Sequence, residues 1–227
     1  MDDRMVRVIG ILIDSFIPLL KAGVMFTVPL TIISFILGLI VAFTVAIIRV
    51  TNFKPLNGIV KFYVWIVRGT PLLVQLFIIF YGLPSIGIIL SALVSAIIGF
   101  TLSVGAYGSE IIRAAILSVP KGQWEAAHAL GLSKSQTLLY IILPQAIKVA
   151  IPPIANSFIS LVKDTSLAAA VTFSDLFQVA QQITARTYEP LWLYMEAAFI
   201  YLIFCSVLTM IQSKLEVRFM KSGYSHD

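Results

Sequence analysis

Apolar residues run in five long stretches separated by short polar segments, and each stretch is about as long as a helix needs to cross a bilayer, roughly 20 residues. The stretches cover residues 22–48, 62–83, 88–112, 151–171 and 191–211. The first ends at Arg49, and the second contains Pro71. A membrane barrel would instead show short segments of alternating polarity. The pattern therefore predicts an all-α membrane protein of about five transmembrane helices. Residues 5–20 are too mixed to span, with Asp14 among them and Lys21 beside them, and fit an amphipathic helix along the interface. This divides the chain into an N-terminal segment 1–21, a transmembrane domain 22–216 and a tail 217–227.

The positions of lysine and arginine set the orientation. Arg49, Lys54 and Lys61 follow the first stretch. Lys121, Lys134 and Lys148 follow the third, and Lys214, Arg218 and Lys221 follow the last. The other connections are poorer in positive charge: "GLPSIG" has none, and residues 173–190 set Arg186 against Asp175 and Glu189. The positive-inside rule then places the N-terminus outside and the C-terminus and tail in the cytoplasm. Composition agrees with a membrane protein, with 59% hydrophobic and 12% charged residues and a mean hydropathy of +0.97. The net charge of +5 reflects these orienting segments and does not point to nucleic acid. The start of the chain has no cleavable signal pattern. Cys205, the one cysteine, lies in an apolar run and provides no disulfide or metal framework.

Residues 118–148 form the longest cytoplasmic connection. Pro120 suits the start of a helix, Glu125 lies early where the helix dipole favours an acid, and Gly131 is a natural stop, which predicts a helix over 121–130. Ser133 and Gln136 form a capping box for a second helix over 134–143, before Pro144. The first helix pairs the small residues Ala126, Ala127 and Ala129 with the bulk of Trp124 and Leu130. Such a helix is either received by a groove on another molecule or folded back on its own bundle.

Glu125-Ala126-Ala127, three residues, Gly131, nine residues and Ile141-Ile142-Leu143-Pro144 resemble the EAA loop of ATP-binding cassette (ABC) importer permeases. "FYVWIVRGTPLLVQLFIIFYGLP", "AYGSEIIRAAILSVPKGQWEAA" and "PPIANSFISLVKDTSLAA" are similar to the polar amino-acid branch of that family, the histidine and glutamine type. The likeness covers nearly all of residues 22–216. By overall likeness, the last third is most similar to the L-cystine permeases. The resemblance implies a type I ABC importer permease bundle in a prokaryotic cell membrane. Gln123, Trp124, Glu125, Ala126, Ala127, Leu130 and Gly131 would form the coupling segment that docks into a separate ATPase. The implied partners are two ATPase copies, a second permease chain that is identical or related, and an extracytoplasmic amino-acid-binding protein. Glutamine, arginine and histidine are the alternative substrates. The chain lacks G-x-x-x-x-G-K-[ST], so ATP and Mg belong to the partner ATPase and no cofactor is expected in this chain.

Ionisable groups in spanning segments are costly and invite a functional reading. Arg68, just before Pro71, is either a counter-charge to a substrate carboxylate near the pathway or an arginine snorkelling to the interface. Glu110 and Arg113 are i, i+3 neighbours that can pair locally. Ser157, Ser160 and Asp164 share a helical face, with Asn156 and Lys163 beside them, and so predict either a substrate pathway or interhelical hydrogen bonds. With no carboxylate at Asn156 or Ser157, a pocket there would suit a zwitterion such as cystine better than a cation. Glu196 reads as interfacial. An intramembrane enzyme would need a catalytic constellation in the spans, yet the two histidines, His128 and His226, lie outside them. A passive channel would leave the coupling segment unused.

Overall fold

The computed structural model describes residues 3–221, with side chains up to Lys214. The described chain is helical: α1 (Asp3–Ala22), α2 (Val28–Thr51), α3 (Lys54–Gly69), α4 (Leu72–Phe77), α5 (Ala92–Ser118), α6 (Lys121–Ala129), α7 (Lys134–Gln136), α8 (Leu143–Asp164), α9 (Leu176–Thr187) and α10 (Pro190–Lys221). Four stretches are long and apolar enough to cross a membrane: Asp3–Thr51, Ala92–Ser118, Lys134–Val171 and Pro190–Lys214. The pair Lys54–Gly69 and Leu72–Ile86 makes a fifth when counted as one broken span. Of the tail 217–227, residues beyond 221, with His226, lie outside the described residues.

Two helices run longer than the sequence pattern predicts. Residues 5–20 are helical, and they continue without a break into the first span, giving a helix of 49 residues. At about 1.5 Å per residue it extends about 70 Å, more than twice the hydrocarbon thickness. The helix that begins at Lys134 likewise does not end before Pro144, but runs on through α8.

Both long helices pass a proline just after a widened turn. π-helical turns at Gly23–Thr27, Ile78–Gly82 and Thr137–Ile142 each end two residues before a proline, at Pro29, Pro84 and Pro144. In each case the residue just before the proline donates its N–H five residues back: Val28 to Gly23, Leu83 to Ile78 and Leu143 to Leu138. Proline has no N–H, and its ring collides with the carbonyl four residues back. One widened turn moves that carbonyl aside. Pro71 is handled differently. It takes extended geometry (φ −63°, ψ 135°) and caps α4, so the second span is broken at Thr70–Pro71. The Gln75 side-chain amide donates to the Thr70 carbonyl at 3.1 Å and to its hydroxyl at 2.9 Å, satisfying the freed acceptor.

The chain forms two compact units. One gathers the chain up to Ile36, Thr70–Thr101 and Phe158–Thr209; the other gathers Leu37–Gly69, Leu102–Ser157 and the chain from Met210. In the first, Leu19, Leu176, Ala180, Ala197 and Ile200 form the core where α1, α9 and α10 meet. Helix α9 lies in a connection for which the sequence reading offered no element. Its start is marked by Asp175, an N-cap whose carboxylate accepts the Gln178 N–H at 2.9 Å. Asp175 is fully buried and also accepts the Tyr201 hydroxyl at 3.1 Å. Burial pushes its carboxyl up to about 6, against the pull of those hydrogen bonds.

In the second unit, Ala42 and Ala46 of α2 pack with Ile112, Ala115 and Ile116 of α5 and with Ile142, Leu143 and Ala146. Gly105 permits close approach there: a Cβ would lie 2.6 Å from both the Tyr63 hydroxyl and Val41 Cγ1. Tyr63, held in this way, donates to the Leu102 carbonyl at 2.6 Å.

Gly105→Ala is expected to cost about 1–3 kcal/mol by overpacking. Gly58→Ala, where the added methyl meets nothing within 4 Å, should be neutral or slightly stabilising. Thermal unfolding of the purified chain in detergent distinguishes the two. For Asp175, a folded carboxyl raised above its ordinary value near 3.9 contributes stability that is full below about pH 4 and lost as pH rises through about 6. Asp175→Asn keeps the cap without that titration, so its melting temperature should gain on the native chain between pH 4 and 7. A constant gap would contradict the shift. Asp175→Ala loses the cap, about 1 kcal/mol or more, at every pH.

Candidate functional site

Helix α6 is held firmly on one side and left open on the other. Pro120 precedes it in extended geometry (ψ 138°). Gly131 closes it at φ +78°, with its N–H on the His128 carbonyl at 3.0 Å and the Leu132 N–H on Ala127 at 3.1 Å, a Schellman motif that glycine alone adopts without strain. Ala127 is buried, and Trp124 packs against the Ile142–Leu143 core. Gln145 of α8 reaches the Gln123 side chain at 3.4 Å. Glu125, Ala126, His128 and Ala129 are exposed, and Leu130 is 81% exposed. The capping box predicted at Ser133 and Gln136 is present in both directions. A cavity of about 860 Å³ opens beside α6, between Val50, Thr51 and Asn52 on one side and Trp124, Glu125 and His128 on the other.

A second polar centre lies in the same unit, on α2, α3 and α5. Glu110 accepts Nε and Nη2 of Arg113 at 3.2 and 3.1 Å, the pairing predicted from their spacing. It also accepts Arg49 Nη1, and Arg68 Nη1 lies 3.8 Å from its Oε1. The Arg68 guanidinium stacks on Tyr107, 5.4 Å from the ring centre. In the sequence Arg49 marks the end of a span and Arg68 stands by itself. A signal was available, because Glu110 is the only acidic residue between Asp14 and Glu125. Arginines on the first three spans thus have few carboxylates to meet.

The polar row on α8 is not packed into the chain. Asn156, Ser160, Lys163 and Asp164 are exposed and Ser157 is half-buried. Ser157 donates to the Pro153 carbonyl within its own helix at 2.9 Å, and Asn156 accepts from Gln212 of α10 at 3.0 Å. Glu196 accepts the Ser15 hydroxyl, tying α10 to α1, which the sequence reading of an interfacial acid did not foresee. Cys205 is half-buried and lines a cavity of about 520 Å³ with Lys163, Phe177, Tyr194 and Tyr201.

The chain matches known proteins along nearly its whole length. The L-cystine transport system permease protein TcyB of Bacillus subtilis (strain 168) is 53% identical over 206 residues, which cover 90% of this chain and 88% of that protein. The probable amino-acid ABC transporter permease protein YckA of the same organism is 42% identical over 207 residues, 91% of each chain. Among solved structures, an amino acid ABC transporter with histidines superposes with a TM-score of 0.85 at 32% identity, covering 91% of this chain and 96% of that one. The family described as binding-protein-dependent transport system inner membrane component matches residues 34–221, and the chain belongs to it.

Proposed function

We propose that this chain is the membrane-spanning subunit of an ATP-driven importer of L-cystine. The observation that carries the mechanism is α6, a short helix open to the outside on one face and locked to α8 on the other. Two copies of a separate ATPase, which use ATP and Mg, receive the face formed by Gln123, Glu125, Ala126, Leu130 and the Gly131 turn. Trp124 and Ala127 on the opposite side seat the helix in its own core. Because of that core and the Gln123–Gln145 contact, a displacement of α6 carries α8 with it. The driving free energy comes from the ATPase pair binding one state of the bundle better than the other, since a partner without preference shifts nothing.

The substrate assignment rests on the similarity to the L-cystine permease over nine-tenths of the chain. In this reading the polar positions Asn156, Ser157, Ser160 and Asp164 of α8 and Arg68 of α3 face the substrate path. A second permease chain, identical or related, completes that path. The N-terminus lies outside and the C-terminus in the cytoplasm of a bacterial inner membrane, and an extracytoplasmic binding protein delivers the amino acid.

Gly131→Pro removes a φ of +78° that proline does not adopt, and Glu125→Lys reverses an exposed charge on the docking face. Both should abolish uptake by the reconstituted transporter while leaving membrane insertion intact. Normal uptake by either purified variant would remove the coupling role from α6. For the substrate, labelled L-cystine, L-glutamine and L-arginine are offered to cells with this gene deleted and then restored. Selective loss and rescue of cystine uptake is the expected result. Loss of glutamine or arginine uptake instead would keep the importer and replace its substrate.

A further inference from the structure

Three guanidinium groups converge on a single carboxylate in the second unit. Arg49, Arg68 and Arg113 all lie within ion-pair distance of Glu110, with side chains 16%, 44% and 33% exposed. Among the described residues these four groups form no other ion pair, so the cluster carries an excess of two positive charges. Uncompensated charge in a spanning segment is expensive, and it persists where a function uses it.

The excess is concentrated at Arg68. Arg49 and Arg113 both donate hydrogen bonds to Glu110, whereas Arg68 Nη1, at 3.8 Å, is too far to do so. Among the described residues the Arg68 guanidinium donates no hydrogen bond. The face of Tyr107 holds it in place without using an N–H. The result is a planar, oriented fork with its donors available, the arrangement that recognises a planar oxyanion in bidentate fashion.

We propose that Arg68, supported by Tyr107 and by the Arg49–Glu110–Arg113 cluster, binds the α-carboxylate of the transported amino acid on its way through the permease. The cluster already holds one carboxylate, so its geometry suits a second. The assignment rests on the amino-acid importer reading but not on the choice of cystine.

The test is equilibrium binding of labelled L-cystine, L-glutamine and L-arginine to the assembled transporter in dodecyl maltoside, with and without added phosphatidylglycerol. Cystamine, which is cystine without its carboxylates, serves as the competitor. Wild type should bind at least one of the amino acids, and cystamine should fail to compete. Arg68→Gln should weaken that binding about tenfold or more, and Arg68→Lys, which keeps the charge but not the fork, should weaken it less. Tyr107→Leu, which frees the guanidinium without removing it, should give a smaller loss and guards against a folding defect in the arginine variants. Binding by Arg68→Gln within twofold of wild type overturns the proposal, as does competition by cystamine equal to that of the amino acid. Co-purification of phosphatidylglycerol that depends on Arg68, with amino-acid binding unchanged, assigns the fork to a lipid phosphate and also overturns it. Uptake by the reconstituted transporter is measured in parallel. Transport without measurable binding in the bundle sinks the carboxylate site alone, while absence of uptake for every amino acid offered sinks the importer reading.

Discussion

A polypeptide in hydrocarbon has no water to satisfy its backbone, and every freed carbonyl must find a donor within the protein. This chain carries ten prolines, each of which removes one donor. The responses differ by position, and they shape the fold. Before Pro29, Pro84 and Pro144 a single π turn widens the helix and lets it continue. At Pro71 the helix stops, and Gln75 takes over the exposed acceptor. The long N-terminal helix, the broken second span and the unbroken run from Lys134 to Val171 all follow from these choices.

The seat of helix α6 is built on one of them. If α7 ended before Pro144, α6 would rest on a loose connection. The π turn at Thr137–Ile142 instead joins the capping box at Ser133 directly to α8 and places Leu138 and Ile142 in the core against which Trp124 packs. A short helix has little stability by itself. Here it is fixed by Pro120 at one end, the Gly131 turn at the other and buried Ala127 between them.

Charge follows the same economy. With a single carboxylate between Asp14 and Glu125, the arginines of α2, α3 and α5 share Glu110. Sharing holds three helices together around one centre and leaves Arg68 incompletely neutralised. Cohesion and residual positive charge thus arise from one imbalance. The first unit uses a different centre, the buried Asp175, which starts α9 and anchors Tyr201 of α10.

The sequence by itself determined the class, the number of spans within the range of four to five, and the short helix Lys121–Ala129 with its Gly131 stop, because these are written in local patterns. Hydropathy persists over a helix length, and Pro120, Gly131, Ser133 and Gln136 act within a turn or two of themselves. Helix continuity was not legible between residues 5–20 and the first span, or at Pro144, since a change of polarity and a proline both read as boundaries, and here the helix runs through each of them. The convergence of Arg49, Arg68 and Arg113 on Glu110 was likewise a tertiary decision. It joins residues up to 61 positions apart, and only the packing of α2, α3 and α5 brings them to one carboxylate. Helix α9 belongs to both accounts: its Asp175 cap is a local signal, but the burial that gives that carboxylate its character depends on α10.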